Sequence, residues 1–442
     1  MKNRILPAIL LSLILTACTS SSGDISMFPD YSGATVPCNI APLNFHYLGA
    51  GSGKAVTTFS AGDRSLRIRG REVNIPAEEW EKLKLADTIS VSSSLLGDWA
   101  IYVSRDSIDR YLTYRLIEPG YEVWDRVEIR ERDLSSFEEE SIISWEDTGN
   151  SCVNCHIHKG RNSMYYIRGP KGAAVLNRDG NITRHQLRRD GMVSGTVYGD
   201  LHPDGRWGVF SSNIIIPGFH TLADRRLEVY DTESDVCITD FDSGNILTPG
   251  NLARADVLET FPCFSGDGTS IYYCAADSVL LPQDIENLKY SLFKVSFDST
   301  DGSTGEPVIV WDASKHDASA CHPKASPNGK WLLFTVADYG TFPIWHQECD
   351  LALIDLRTGT AMPMDAVNSD RSDTYHSWSS NSRWIVFASK RGDGQYGRPY
   401  FCHIDEDGNV TSPFILPQKD SHLYEKTLKS YNIPDLGIIS SK

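Results

Sequence analysis

The sequence predicts an all-β protein in which a small β-rich domain precedes a β-propeller of five or six blades. A strand–turn–strand module recurs four times in the second half of the chain, and a second hairpin lies between successive copies. Each repeat therefore supplies four strands, which is one propeller blade. The 442 residues, of which 40% are hydrophobic and 23% charged, suffice for two ordered domains.

The N-terminus has the pattern of a bacterial lipoprotein signal. A positively charged start precedes an apolar run over residues 5–15, which is too short to span a bilayer. The string that ends in Cys18 resembles a lipobox, and this implies cleavage of residues 1–17, lipidation of Cys18 and a flexible tether over residues 18–36. Thr19 rather than Asp follows the cysteine, which in lipoproteins of Gram-negative bacteria favours the outer membrane, and no acidic cluster directly follows Cys18, which favours an orientation facing the periplasm. An ordinary cleaved signal with a chance cysteine is the alternative.

The charge of the chain restricts its partners. A formal net charge of -16 argues against nucleic acid, because both surfaces would repel each other. We expect contact with the membrane through the lipidated Cys18, and an envelope protein or redox partner at the folded part.

Residues 37–147 are expected to form the small domain. Short runs with alternating or β-branched residues recur through it, as is typical of strands. Residues 75–83 read as one short helix with Pro76 in its first turn. The pattern favours a sandwich-like arrangement.

The propeller is expected over residues 164–418, with a C-terminal tail over 419–442. Asp-Gly, Asn-Gly or Asn-Ser turns follow the first strand of each module and a run of apolar residues follows each turn. The four modules lie at residues 198–212, 261–273, 322–335 and 376–389. Residues 164–183 read as a further, incomplete blade, which strands from the other end of the chain or from the preceding segment would complete.

Aromatic and histidine residues recur within the modules. Trp207, Trp331 and Trp384 are interpreted as blade core. His202, His322 and His376 recur near the start of three inner strands, either as a feature of the repeat or as the lining of a ligand-binding channel.

A Cys-x-x-Cys-His motif lies in the linker expected over residues 148–163. At this spacing Cys152 and Cys155 can anchor a haem c through thioether bonds, and His156 can bind its iron. The second axial ligand is open: Met164 and His158 are the nearby candidates. The sequence contains no helical domain of the kind that usually surrounds such a haem, which argues against electron transfer.

Two other interpretations of the motif remain. Cys152 and Cys155 can form a disulfide in an oxidising compartment. They can also bind zinc with His156 or His158, although a tetrahedral site needs a further ligand that the sequence does not identify.

The modules resemble a known family. Ser-Pro-Asn-Gly-Lys-Trp at residues 326–331 and its counterparts are similar to the WD-like repeats of TolB-like propellers. A fuller resemblance is to lipoproteins of Bacteroidetes that combine such a propeller with a Cys-Val-Asn-Cys-His segment. It rests on residues 39–45, 114–124, 152–156, 342–346 and 375–387. The resemblance implies the fold more firmly than any function.

Hydrolase motifs are missing from the sequence. It contains neither Gly-x-Ser-x-Gly nor His-Glu-x-x-His. We therefore do not expect an enzyme of these classes. The leading hypothesis is an envelope lipoprotein that carries haem c for electron transfer. The alternative is a haem-free binding or scaffold protein with Cys152 and Cys155 as a disulfide.

Overall fold

The computed structural model describes residues 25–49, 54–117, 127–149, 153–167, 173–219 and 227–440. Within these ranges the strands form eight sheets, and six of them surround a common axis as propeller blades. The all-β propeller fold expected from the repeats is confirmed. None of the helices in these ranges is long and apolar enough to cross a membrane.

Five blades are antiparallel sheets of consecutive strands, numbered here from the inner strand outward. Blade 3 has an extra strand, Val308–Trp311, on its third strand. The strands are Val153–Lys159, Asn162–Ile167, Ala173–Arg178 and Asn181–His185 in blade 1; Thr196–Leu201, Trp207–Phe219, Leu227–Asp240 and Asn245–Leu247 in blade 2; Val257–Phe264, Ser270–Asp277, Ser291–Asp298 and Ser303–Thr304 in blade 3; Ser319–Ala325, Trp331–Ala337, Asp350–Asp355 and Thr360–Met362 in blade 4; and Asp373–Trp378, Trp384–Ser389, Arg398–His403 and Phe414–Ile415 in blade 5.

Blade 6 joins the two ends of the chain. Its inner strand is Ser430–Gly437, and Tyr111–Ile117, Glu128–Asp133 and Glu139–Ser144 follow outward. The inner strand packs against the inner strands of blades 5 and 1, so the ring closes with six blades. Pairing of a C-terminal strand with N-terminal strands fastens the ring.

The structure therefore divides the chain differently from the sequence analysis. The segment 148–163, expected as a linker, contains the inner strand of blade 1, which completes the blade read as incomplete. The expected tail 419–442 contains the closing strand, and the end of the expected small domain belongs to blade 6. Side chains that alternate with a period of two show that a segment is an extended strand, but they do not show which sheet the strand joins. In blade 6 the paired residues are more than 300 positions apart in the sequence.

The remaining two sheets and one helix form the small domain. The five-stranded sheet has the order Thr35–Pro37, Gly97–Ser104, Thr88–Ser93, Val56–Ala61, Arg64–Arg69, and the three-stranded sheet has the order Ser26–Phe28, Phe45–Leu48, Glu72–Val73. The predicted helix is present as Ala77–Leu83 and buries Trp80, whose Nε1 donates to the carbonyl of Ile40 at 2.9 Å. One hydrophobic core continues from this domain into blades 5 and 6. The small domain is thus packed on the ring.

The three repeated tryptophans are blade core, as interpreted. Trp207, Trp331 and Trp384 are at most 2% exposed. The turn glycines Gly302 and Gly408 approach the rings of Trp207 and Trp331 so closely that a Cβ would lie 2.8 Å from ring atoms. Both glycines also have positive φ, so the turn that seals each tryptophan requires glycine for two reasons.

Short helical segments and one long hairpin complete the structure. The short α-helices are Ala313–His316 and Leu423–Lys426, and the 3₁₀ turns are Glu146–Thr148, Ile285–Asn287 and Pro343–Trp345. The second and third strands of blade 2 are 13 and 14 residues long and extend beyond their blade. There Glu228 accepts a hydrogen bond from Tyr339 Oη of blade 4 at 2.9 Å. The hairpin therefore links two blades that are not neighbours.

Candidate functional site in the central channel

The inner strand of every blade has an irregularity at the same height. The pairing with the second strand shifts by one residue in each of the six blades, which is a β-bulge. Four bulge residues have positive φ although none is glycine: Phe261, His322, Tyr375 and Ile433, at 47–53°. Such backbone is costly for a residue with a side chain. Its recurrence shows that the bulge is part of the architecture.

The bulges direct large side chains toward the axis. Phe261, His322, Tyr375 and Ile433 lie in the bulges of blades 3 to 6, and Tyr198 directly follows the bulge of blade 2. Neighbouring rings touch in sequence around the channel: the centroids of Tyr198 and Phe261 are 4.4 Å apart, those of Phe261 and His322 4.1 Å, and those of His322 and Tyr375 4.8 Å. We call these four residues the aromatic belt.

A cavity of about 70 Å³ lies at the aromatic belt, and residues from all six blades line it. Besides the belt, the lining includes His156 and Tyr166 of blade 1 and His376 of blade 5. A volume of this size holds a few water molecules or a small solute, whereas pockets for larger ligands have roughly 300–1,000 Å³.

Three histidines face this cavity as neutral rings. Burial lowers the pKa of His376 to about 3, and it also holds the pKa values of His156 and His322 well below the usual value. His376 Nε2 lies 3.0 Å from the carbonyl of Leu333. Nδ1 of His322 has no hydrogen bond, whereas Nδ1 of His376 and both ring nitrogens of His156 face backbone carbonyls without hydrogen bonds of ordinary geometry. Each neutral ring offers one donor and one acceptor.

The recurrence of histidine near three inner strands is not a feature of the repeat. His322 occupies the bulge of blade 4, and His376 follows the bulge of blade 5. His202 comes after the inner strand of blade 2, where Nδ1 accepts from the backbone N–H of Asp204 at 3.3 Å. The channel interpretation therefore applies to two of the three residues.

Charged groups next to the cavity tie neighbouring blades together. Lys159 of blade 1 contacts Asp200 of blade 2 at 3.0 Å, and the same carboxylate accepts from the backbone N–H of Phe264 in blade 3. Burial alone would raise the pKa of Asp200, but Lys159 and Lys324 lower it on balance. Asp435 of blade 6 accepts from the backbone N–H of His158 in blade 1 at 2.8 Å.

The predicted haem-binding residues occupy different environments. Cys18 and Cys152 lie outside the described residues, and the backbone of Cys155 belongs to the bulge of blade 1. His156 is 3% exposed in the channel wall, where it faces the carbonyls of Thr113 and Ile433 without hydrogen bonds of ordinary geometry.

The two candidate distal ligands are not placed to complete a haem site. Met164 is fully buried in the core of blade 1, and it pairs with Ile157 while Tyr165 pairs with His156. Because paired residues share a face and neighbours alternate, Met164 and His156 leave opposite faces of the sheet. His158 lies on the same face as His156, at 6.1 Å between ring centroids, whereas two axial ligands must approach iron from opposite sides. With a cavity of about 70 Å³, the described residues do not fit a haem.

Most cysteines outside the Cys-x-x-Cys-His motif lie in the core. The described residues contain seven free thiols, and all but Cys38 are buried. Burial raises the pKa of Cys237 and Cys402 to about 12, so these thiols are inert at neutral pH.

Comparisons with known proteins identify no family for this chain. No model of a known protein family matches the sequence, and no curated protein matches it. Similar solved structures include a protein assigned as TolB from Agrobacterium tumefaciens, with 11% identity and a TM-score of 0.41 over 71% of this chain and 93% of that one. A protein from Bacteroides uniformis assigned as a 6-phosphogluconolactonase has 11% identity and a TM-score of 0.37, over 88% of this chain and 99% of that one.

An oligogalacturonate lyase from Vibrio parahaemolyticus has 12% identity and a TM-score of 0.37, covering 73% and 84% of the two chains. The structural neighbours thus include a TolB-like propeller protein. At these low scores the number of blades and their closure follow from the sheet order of this chain itself.

Proposed function

We propose that this chain is a haem-free binding protein of the cell envelope that holds a small polar ligand in its central channel. The cavity at the aromatic belt carries the proposal, because all six blades contribute to its wall and three neutral histidines face it. A haem requires more room than these residues offer. It also requires a second axial ligand, which they do not supply.

Unpaired ring nitrogens in the wall favour binding of a small polar molecule. A buried polar atom that lacks a hydrogen bond costs about 1–3 kcal/mol. Nδ1 of His322 is in this condition, and the ring nitrogens of His156 and His376, which are 3% and 4% exposed, include ones whose carbonyl neighbours are poorly aligned. A ligand with both donor and acceptor groups recovers this energy. The flat rings of the belt supply apolar contact on either side of it.

The proposal also covers the lipid anchor and the Cys-x-x-Cys-His motif. The lipidated Cys18 anchors the protein to the outer membrane, facing the periplasm, and Cys152 forms a disulfide with Cys155. Electron transfer through haem c at Cys152, Cys155 and His156 stays a prediction of the motif alone.

Nuclear magnetic resonance of histidine-labelled protein tests the proposal with formamide and formate as probes. Formamide offers a donor and an acceptor, whereas formate offers acceptors. We expect saturable shifts of the channel histidine signals with formamide. In His322→Phe the belt keeps an aromatic ring but loses its nitrogens, so binding should weaken about fivefold, as expected for one hydrogen bond.

The exposed His316, which stacks on Trp311 at 4.6 Å, provides the internal control, and His316→Phe provides the matched variant. The His316 signal should not follow formamide, and His316→Phe should bind it like the wild type. Equal shifts at every histidine, or unchanged affinity in His322→Phe, would overturn the channel as the binding site.

A further inference from the structure

A second cluster of ligating side chains lies where the small domain meets the C-terminal segment. His46 and Glu72 are paired neighbours on two strands of the three-stranded sheet. His422 and Glu425 face them at the start of the short helix Leu423–Lys426. One ligand atom each of His46, His422 and Glu425 lies within 4.8 Å of the others. We propose that these three residues bind a divalent transition-metal ion, for which Zn²⁺ is the best match.

The nitrogen of His46 that would bind the metal has no hydrogen bond. His46 is 2% exposed, and its Nε2 is buried and points toward Glu425 Oε1 at 3.4 Å. The other nitrogen, Nδ1, lies 3.0 Å from Ser421 Oγ, and that hydroxyl donates to Glu72 at 3.4 Å. The hydroxyl therefore accepts from Nδ1–H, which leaves the lone pair on Nε2 for a metal ion.

Each of the two ring nitrogens of His422 lies next to a carboxylate. Its Nε2 lies 2.9 Å from Glu72 Oε1, and its Nδ1 lies 2.6 Å from Glu425 Oε2. In metal sites a ligating imidazole usually gives its other N–H to a carboxylate or hydroxyl group, which fixes the tautomer and the ring plane. Both histidines here have such a partner, Ser421 for His46 and Glu72 for His422.

Charge and spacing both suit Zn²⁺. The carboxylates of Glu72 and Glu425 lie 2.9 and 2.6 Å from the two ring nitrogens of His422, and their negative charge attracts a metal ion. The two imidazole rings stack with centroids 3.7 Å apart. Tetrahedral zinc with bonds of about 2.0–2.2 Å separates its ligand atoms by about 3.3 Å. The three ligand atoms lie within 4.8 Å of one another and must move closer to bind one ion. Because the lone pair of a ring nitrogen lies in the ring plane, one of the two stacked rings must also turn, and the fourth position is left for water.

A metal ion here would connect separate parts of the fold. His46 and Glu72 belong to the small domain, whereas His422 and Glu425 lie just before the closing strand Ser430–Gly437. Bound zinc would stabilise the folded state in proportion to its binding energy. It would do so where the ring of blades is fastened.

Isothermal titration calorimetry of the full-length, chelator-treated protein with Zn²⁺ tests the site. We expect one equivalent to bind, a rise in the thermal unfolding midpoint, and visible absorption bands when Co²⁺ replaces Zn²⁺. Glu425→Gln removes a ligand and should weaken binding more than tenfold. Glu72→Gln removes the partner of His422 and should weaken it about 10–100-fold.

Glu72 and Glu425 are exposed, with side-chain exposures of 55% and 42%, so the two variants should fold; circular dichroism checks this. His316→Gln, on the exposed end of another short helix, should bind zinc like the wild type. Less than one equivalent bound by the wild type, or equal affinity in Glu425→Gln, would overturn the proposal. Neither result would bear on ligand binding in the channel.

Discussion

Asp231 shows how a single buried side chain can make this fold sensitive to pH. The carboxylate is fully buried, and one of its oxygens accepts from Asn213 Nδ2 at 2.8 Å while the other has no hydrogen bond. Burial raises the pKa of Asp231 to about 7. The folded protein therefore binds a proton that the unfolded chain, with an ordinary pKa near 3.8, releases. Stability due to this group is present below about pH 4 and is lost as pH rises through 7.

Replacing Asp231 with Asn should remove this pH dependence. Because Asn resembles the protonated acid, the variant should gain about 2–4 kcal/mol of unfolding free energy over wild type at pH 8, and little at pH 4. Urea denaturation at both pH values measures the difference. Asp277→Asn, at an exposed position of blade 3, should change stability equally at both pH values. A gain in Asp231→Asn that is the same at pH 4 and pH 8 would contradict the assignment.

At the scale of residues the sequence predicted packing better than chemistry. Trp207, Trp331 and Trp384 were interpreted correctly because alternation of apolar residues decides burial locally. His156 was interpreted as an iron ligand from a five-residue spacing, which contains no information about the strand around it. Sequence also missed His46 and His422, because 376 positions separate two residues whose rings stack in the fold.

The closing strand of blade 6 is the element on which the ring depends. Ser430–Gly437 lies between the inner strands of blades 5 and 1 and pairs with Tyr111–Ile117. Tyr431 and Leu436 are buried in the core shared with the small domain. Leu436 N–H also donates to Ser377 Oγ of blade 5 at 3.1 Å. Removal of this strand would expose one side of three blades at once.

Deletion of residues 428–442 should therefore lower the unfolding free energy by more than about 4 kcal/mol, the range of severe core lesions. Urea denaturation measures the loss, and a synthetic peptide of residues 428–440 added in trans should restore part of it. Deletion of residues 441–442 is the control and should stay within about 0.5 kcal/mol of the wild type. A truncated chain as stable as the wild type would show that the ring does not need this strand.

A signal for this strand was present in the sequence. Ile433-Pro434-Asp435 matches Phe261-Pro262-Cys263 and His322-Pro323-Lys324, and all three triplets form bulges of inner strands. The proline after the bulge residue is compatible with interrupted strand pairing. The match was hidden because no aspartate–glycine turn follows residue 435, since the second strand of this blade, Tyr111–Ile117, comes from an earlier part of the chain.

For the whole molecule, the repeats determined the fold class, and closure determined the blade number. Four complete modules could be counted along the chain, but blade 1 was obscured by the Cys-x-x-Cys-His motif and blade 6 by its two distant parts. Sequence could not show that inner strands from all six blades surround one cavity. His156 belongs to the wall of this channel, and we propose that the propeller carries no haem.

This proposal is tested by the intact mass and the pyridine haemochrome spectrum of protein that has been exported in a host that matures c-type cytochromes. We expect a chain without haem and without c-type absorption. Its mass should be two hydrogens below that of the reduced form, because a disulfide joins Cys152 and Cys155. The Cys152→Ser/Cys155→Ser variant should lose that mass difference and keep its fold. Added mass of one haem, with a c-type spectrum that disappears in the same variant, would contradict it.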